Sequence, residues 1–403
     1  MRKKLPGAFL LFLAGQGILG LGESVRFIAV TTLIYKIAGS GISAAAGVAL
    51  SALPGIIASP FAGVLGDRIY ESRVVVLTDI MRFITTALFL YAGNTAQLYL
   101  LLVATSVLDV FYGPSRRKYV LGLTGKQGAL EANSQLAGVA GAAYILGPLL
   151  AGFLIEGRGH ACAIIAASIC CLVSAVMTLL SVATGGHGKL RMPRVCQGGT
   201  ADFKEAVKYC QASPVIRGLL FVDMMIGFCV ISVNLSFYPY AFDVIKVTAR
   251  GWSLLITVYY GASLSAMAIV KYAGTRLGNI EGKFFYLSMG IVAAAWMLYA
   301  FTKNYAAVLL LQFTEGTLIA LCGIILAARL QAATDRRYMA RVSSVNDIVT
   351  SAGKLAAMGC TAVITGKFSF AGVFIFNGLI LMAFAIAGLS RASPPAMATR
   401  PRI

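Results

Sequence analysis

The sequence has 403 residues, of which 59% are hydrophobic and 12% charged, and a formal net charge of +19. Soluble domains carry roughly 25% charged residues, so this composition excludes an ordinary water-facing globular surface. The first apolar stretch, residues 7–35, is longer than the apolar region of a signal peptide, and no small-residue cleavage site follows it. We therefore predict an all-α membrane protein.

Apolar stretches of about twenty residues, the length that crosses a hydrocarbon core of about 30 Å, recur along the chain. The long polar connection at residues 183–213 divides them into an N-terminal six-helix bundle, 1–182, and a C-terminal six-helix bundle, 214–403. The twelve predicted transmembrane helices are 7–35, 41–65, 74–93, 96–116, 131–155, 160–182, 214–240, 250–273, 283–301, 304–328, 340–364 and 368–389.

The basic residues are distributed unevenly between the two sides of these spans. Of the 34 Lys and Arg, 25 lie at the termini or in loops on the same side as the termini, six lie in the opposite loops and three lie inside spans. This positive-inside bias predicts that both termini are cytoplasmic. It also accounts for the net charge through contact with an anionic lipid leaflet, so no nucleic-acid partner is expected.

The cysteines and histidines suggest no metal site and no cofactor. The eight cysteines form no C-x-x-C pair, and the two histidines, His160 and His187, lie at span ends or in loops. The sequence also contains no G-x-S-x-G or H-E-x-x-H motif and no phosphate-binding P-loop. An enzyme and a nucleotide-driven pump are therefore disfavoured, and a channel or scaffold stays open.

The turn after the second span reads GVLGDRIYESR over residues 63–73. It resembles the G-x-x-x-D-R-x-x-R/K-K loop of the major facilitator superfamily, although Glu71-Ser72 stands where many members have a second cation. Asp79 and Arg82, at the cytoplasmic end of span 3, are expected to brace Asp67. The expected conformational-gating residues are Gly63, Asp67, Arg68, Arg73, Asp79 and Arg82.

Span 5 contains GAAYILGPLLAG over residues 141–152, which is similar to the antiporter signature of the same superfamily. Small residues there permit close helix packing, and a proline bends the helix. The antiporter-like residues are Gly141, Gly147, Pro148 and Gly152.

Residues 211–216 and 339–344 also resemble the branch that contains macrolide-efflux and enterobactin-exporter proteins. The resemblance implies two pseudo-symmetric six-helix bundles, a bacterial inner-membrane location, a monomer, and export of a small molecule coupled to proton antiport.

Four acidic residues lie inside spans 1, 4, 7 and 10, which line the central cavity in the family that the chain resembles. Because an ionisable group in the membrane is costly, each is a functional candidate. The proton-coupling candidates are Glu23, Asp109, Glu315 and Asp223. The substrate-binding candidates are Arg26, Lys354, Gln16, Tyr112, Asn234, Tyr238 and Tyr259.

Several alternatives stay open at this point. Glu23 and Arg26, three residues apart, could form a purely structural ion pair. The intramembrane cations Arg26 and Lys354 favour a charged or zwitterionic substrate such as a siderophore or related metallophore. A macrolide or other drug, and a lysolipid, are the alternative substrates.

Overall fold

The computed structural model describes residues 5–66, 71–185, 200–277, 281–335 and 338–391. Helices account for nearly all of these ranges, which contain no β-strand. The helices are α1 (Gly7–Ala38), α2 (Gly41–Gly66), α3 (Glu71–Leu88), α4 (Thr95–Thr184), α5 (Thr200–Ala212), α6 (Pro214–Pro239), α7 (Ala249–Leu277), α8 (Glu281–Tyr299), α9 (Tyr305–Ala333) and α10 (Met339–Arg391).

Two of these helices are interrupted by residues with left-handed backbone conformations. Gly125 (φ 65°) and Gly159 (φ 83°) divide α4 into segments 95–124, 126–158 and 160–184. Ser369 (φ 72°) divides α10 into 339–368 and 370–391. Glycine adopts positive φ without a steric cost, which allows the chain to reverse direction at residues 125 and 159 without a long loop.

Nine stretches in the described ranges are apolar and long enough to cross a membrane. Two of them, Glu131–Thr184 and Arg341–Ser390, are long enough to cross it twice and contain the breaks at Gly159 and Ser369. These divisions, together with α2, bring the number of spans to the predicted twelve. The 95–124 and 126–158 segments extend several residues beyond the predicted spans, since a helix can continue past the hydrocarbon region.

Local sequence explains where several helices begin and end. The Asn94 side chain caps α4 by accepting from the backbone N–H of Gln97, and Asn304 caps α9 by accepting from Ala306 and Ala307. Ser213 caps α6, whose first residue is Pro214. These residues satisfy N–H groups that have no partner within the helix.

The chain divides into two compact units. Unit 1 comprises Met1–Val195 with Ala241–Thr257, and unit 2 comprises Cys196–Tyr240 with Val258–Ile403. The bundle boundaries at 182 and 214 stay a prediction. The segment 241–257, which begins in a π-helical turn (Tyr240–Val244), packs within unit 1.

In unit 1, small residues bring α1 close to both later segments of α4. A Cβ on Gly22 would lie 3.0 Å from the carbonyl oxygen of Ala167 in the 160–184 segment. On the 126–158 segment, a Cβ on Gly147 would collide with the Cβ of Ser24 and lie 3.3 Å from the carbonyl oxygen of Leu21. Such close approach is the usual basis of helix association in lipid, where apolar burial supplies little driving force.

The 241–257 segment is anchored to the end of α1 and the start of α2. The Tyr35 ring stacks on Phe242 with centroids 4.6 Å apart, and the Tyr35 hydroxyl donates to the Phe242 carbonyl oxygen at 3.0 Å. The Asp243 carboxylate accepts from the backbone N–H of Gly41 at 3.1 Å, close to the start of α2. This placement of an anion at a helix N-terminus is favourable.

In unit 2, α6 and the two segments of α10 are joined by a buried polar contact. The hydroxyls of Ser232 and Thr361 lie 2.7 Å apart, and the Asn377 amide donates to Ser232 at 2.9 Å. Tyr240, Tyr299 and Phe374 form an aromatic cluster beside it.

The short helix α5 docks on the connection between α9 and α10. The Tyr209 and Tyr338 rings stack with centroids 4.3 Å apart. Glu205 accepts from the Tyr338 hydroxyl at 2.7 Å and from the Arg341 guanidinium at 3.0 Å. Beneath these contacts, Cys210 packs in an apolar cluster with Val342 and Val345, so α5 is attached to unit 2.

The helix contact at Gly147 predicts different effects of alanine at two positions of one segment. Gly147→Ala should destabilise the protein by about 1–3 kcal/mol, because the added methyl group collides with α1. Gly141→Ala is the matched control, since a Cβ at position 141 meets nothing within 4 Å. Thermal unfolding of the two purified variants in detergent tests this, and equal melting temperatures would contradict the predicted contact.

The docking of α5 predicts slow chemical modification of Cys210. Burial raises the pKa of the Cys210 thiol, and this lowers its thiolate fraction at neutral pH. Tyr338→Ala should increase maleimide labelling of Cys210 several-fold by removing the stack with Tyr209, as measured by peptide mass spectrometry. Tyr305→Ala, on another helix end, should leave the rate unchanged; an unchanged rate in Tyr338→Ala would show that the stack does not hold α5.

Candidate functional site

The polar centre of unit 1 is the guanidinium of Arg82, on α3. Its side chain is only 7% exposed, and carboxylates from three elements surround it. Arg82 donates to Asp109 of the 95–124 segment through Nε, at 3.1 Å, and through Nη2. Arg82 also lies 3.5 Å from a carboxylate oxygen of Glu23 on α1 and 3.5 Å from one of Asp79 on α3. One cation therefore faces three acids.

Neighbouring side chains fix the orientation of this cluster. The Tyr112 ring lies beneath the guanidinium, 3.9 Å from ring centroid to Cζ, and Gln16 donates to the Tyr112 hydroxyl. Thr178 donates to Asp79 at 2.9 Å. A buried cation over an aromatic ring gains about 2 kcal/mol, so Tyr112 helps to hold Arg82.

The three acids differ in their access to solvent. The Asp79 side chain is fully buried, whereas those of Glu23 and Asp109 are 36% and 48% exposed. If all three carboxylates were ionised, the cluster would carry a net charge of −2 around a guanidinium that is itself buried. A proton or a cationic group on Glu23 or Asp109 would reduce this imbalance.

Arg26 lies on α1 but does not pair with Glu23 in the described ranges. Its Nη1 donates to the Thr105 hydroxyl at 3.1 Å, and Thr105 in turn donates to the Leu102 carbonyl oxygen. Glu23 contacts Arg82 instead. The Glu23–Arg26 ion pair, which the three-residue spacing on α1 left open as an alternative, is therefore not present among the described residues, and Glu23 makes a contact between helices instead.

In unit 2, Glu315 is a buried carboxylate on α9, 3% exposed. The Tyr299 hydroxyl at the end of α8 donates to it at 3.0 Å. Tyr259 on α7 is close enough to interact electrostatically, and its carbonyl oxygen lies against Gly316. No described cation forms an ion pair with Glu315, so neutral hydrogen-bond donors stabilise it.

Asp223 on α6 accepts from the Asn346 amide of α10 at 2.6 Å. Lys354, further along α10, packs against α6: a Cβ added to Gly227 would lie 3.9 Å from the Lys354 Cε. Lys354 has no ion-pair partner among the described residues. Asn234 is exposed and Tyr238 is buried. The unit 2 candidates therefore do not form one cluster comparable to that around Arg82.

The structure describes only part of the expected gating loop, whereas it describes the expected antiporter-like residues. Asp67 and Arg68 lie outside the described residues, as do the side-chain surroundings of position 63, and Arg73 is exposed. Gly147 and Pro148 are buried, and a Cβ on Gly152 would lie 2.7 Å from the Ser253 hydroxyl. Asp79 and Arg82 belong to the unit 1 cluster, and their expected bracing of Asp67 stays a prediction.

Sequence reasoning missed the central position of Arg82 and the neutral partners Thr105, Thr178, Tyr299 and Asn346. The available signal was the pair Asp79 and Arg82, because two charges inside an apolar span are rarely without a function. The neutral partners gave no such signal, since Thr, Tyr and Asn occur throughout membrane helices. Within the described ranges, no group of three or more potential metal ligands is found.

Comparison with known proteins identifies the family. The sequence profile of the Major Facilitator Superfamily matches residues 11–358. The chain is 23% identical over 392 residues to YfiS of Bacillus subtilis (strain 168), described as an uncharacterized MFS-type transporter; the match covers 94% of this chain and 91% of that protein.

Solved structures have the same fold. A bacterial homologue of the iron transporter ferroportin, in an inward-facing state, matches with a TM-score of 0.76 and 16% identity over 96% of this chain and 100% of that chain. The nucleoside transporter NupG matches with a TM-score of 0.70 and 12% identity over 96% and 99%. The chain therefore belongs to the major facilitator superfamily and is a multi-pass membrane transporter with the twelve-helix, all-α fold of that family.

Proposed function

We propose that this protein exports a charged or zwitterionic small molecule by alternating access and exchanges it for protons. The main observation behind this proposal is that one guanidinium, that of Arg82, faces the carboxylates of Glu23, Asp79 and Asp109. Because Glu23 and Asp109 are the two accessible acids, protonation of either one would leave Arg82 more strongly bound to the other. A change of partner at Arg82 can thereby link proton binding to a movement of α1 relative to the 95–124 segment.

The charges also favour a polar substrate. Unit 1 has an excess of carboxylates around Arg82, and unit 2 has a lysine, Lys354, with no ion-pair partner among the described residues. A hydrophobic drug cannot pair with these charges, whereas a substrate that carries charged groups can form ion pairs with them. A siderophore or related metallophore is the substrate class that we favour over a macrolide or a lysolipid.

We also propose in which membrane the protein lies and on which side its termini are. The positive-inside distribution of Lys and Arg supports a bacterial inner-membrane protein with both termini in the cytoplasm. A single chain with its own cluster of acids needs no second copy, so the transporter is proposed to act as a monomer.

Proton exchange can be measured in energised everted membrane vesicles with acridine orange as the pH reporter. Enterobactin, used as a catecholate siderophore probe, should release protons from the vesicles, and erythromycin should release fewer. Glu23→Gln and Asp109→Asn should each reduce the enterobactin response to that of vesicles without the protein, because neither variant can ionise at the altered position.

Glu131→Gln is the matched control, since Glu131 is exposed and lies outside the Arg82 cluster. It should retain the wild-type response. Wild-type responses in both Glu23→Gln and Asp109→Asn would reject proton coupling at this cluster. A larger response to erythromycin than to enterobactin would reject the siderophore class in favour of drug efflux.

The central role of Arg82 predicts strong coupling with Asp109. Arg82→Gln should lower the free energy of unfolding by about 3–5 kcal/mol, because it leaves the fully buried Asp79 and two partly exposed acids without a cation. Adding Asp109→Asn should restore about 0.5–3 kcal/mol of this loss, since one unpaired charge is then removed. Denaturant titration of the purified variants in mixed micelles measures both values.

Arg341→Gln provides the comparison, because Arg341 pairs with Glu205 at an exposed position. Its loss should cost no more than about 1 kcal/mol. Additive effects of Arg82→Gln and Asp109→Asn would mean that the contact between these residues does not stabilise the fold.

A further inference from the structure

Unit 2 contains a cavity that the Arg82 cluster does not explain. It lies between α6, the C-terminal part of α9 and the N-terminal part of α10. It has a volume of about 230 Å³. This is the space of about eight water molecules, which suits a ligand of similar heavy-atom number. On the positive-inside prediction, this end of the helices is cytoplasmic.

Among the described residues that line this cavity, Asp223 is the only charged one. One of its carboxylate oxygens accepts from the Asn346 amide at 2.6 Å. Arg341 is close in sequence but does not line the cavity, and it is paired with Glu205 on α5. The carboxylate is therefore available as a counter-ion for a positively charged ligand.

The described lining contains four other polar side chains, and two of them, Asn346 and Thr334, present acceptors. Asn346 must direct its N–H group at the carboxylate of Asp223, which leaves its Oδ1 atom buried and without a hydrogen-bond partner. The Thr334 hydroxyl donates its proton to the Leu330 carbonyl oxygen at 2.6 Å, so its remaining capacity is to accept. A buried acceptor without a donor is costly, and a ligand with N–H groups would satisfy it.

The lining also has an apolar part, which includes Leu326, Leu330 and Val342, and two further polar residues, Gln331 and Ser343. The described lining has one carboxylate and lacks the group of acidic ligands that a divalent-cation site usually contains. It matches an organic cation in which one end donates hydrogen bonds and the other end is apolar.

We infer that this cavity is a binding site for a small organic ammonium or guanidinium ion, with Asp223 as its counter-ion and Asn346 Oδ1 as an acceptor. The inference concerns binding alone and does not depend on the proposed transport activity. Binding at the cavity would join α6 to α10 through the ligand, because Asp223 and Asn346 lie on these two helices.

The test is calorimetric titration of the purified full-length protein with three probes that share a phenylethyl group. 2-Phenylethylammonium supplies the charge and the N–H groups, its N,N,N-trimethyl derivative supplies the charge alone, and 3-phenylpropionate carries the opposite charge. 2-Phenylethylammonium should bind at least about tenfold more tightly than the trimethyl derivative, as expected for hydrogen bonds to charged or buried groups. 3-Phenylpropionate should not bind.

Asp223→Asn should weaken 2-phenylethylammonium binding by at least about tenfold. Asp347→Asn, one residue after Asn346 but exposed and outside the lining, should bind like the wild type. Ala327→Leu fills the cavity without removing the carboxylate and should also weaken binding. It provides a second test of the site if Asp223→Asn does not fold. Equal affinity for all three probes, or wild-type affinity in both Asp223→Asn and Ala327→Leu, would overturn the inference.

Discussion

A single buried guanidinium, that of Arg82, is shared by three carboxylates within the helices of unit 1. Ionic groups in such surroundings are stable only when they are paired, and removal of one partner leaves an expensive unpaired charge. The positions of α1, α3 and the 95–124 segment are therefore tied to one another through Arg82. Asp79 is fully buried, whereas Glu23 and Asp109 are partly exposed, and the proposed exchange of partners at Arg82 rests on this difference.

Close helix packing makes this arrangement possible. Glycines at positions 22 and 147 let α1 approach both later segments of α4, and this approach fixes the position of Glu23 on the same helix. The glycine breaks at residues 125 and 159 allow the chain to return without long loops. Because lipid provides little hydrophobic driving force between helices, these steric contacts and the polar cluster hold unit 1 together.

Within the described part of unit 2, Glu315 and Asp223 are stabilised by neutral hydrogen-bond donors and not by a shared cation. Glu315 is buried with a tyrosine donor, and Asp223 is paired with the Asn346 amide beside a cavity. Neither has a described cation as partner. The two units thus contain acids in corresponding spans of their sequences but stabilise them by different chemistry.

The sequence by itself determined the membrane class, the twelve spans, the superfamily and the presence of charges inside the spans. Composition and span length specify the membrane class and the spans, because a hydrocarbon core admits only long apolar helices, whereas the superfamily followed from the resemblance of residues 63–73 and 141–152 to family motifs. Only the tertiary structure decided that Glu23 pairs with Arg82 rather than with Arg26, and that Asp223 faces Asn346. Such contacts join residues more than fifty positions apart. They depend on which faces of the helices meet, and helical periodicity within one span does not specify that.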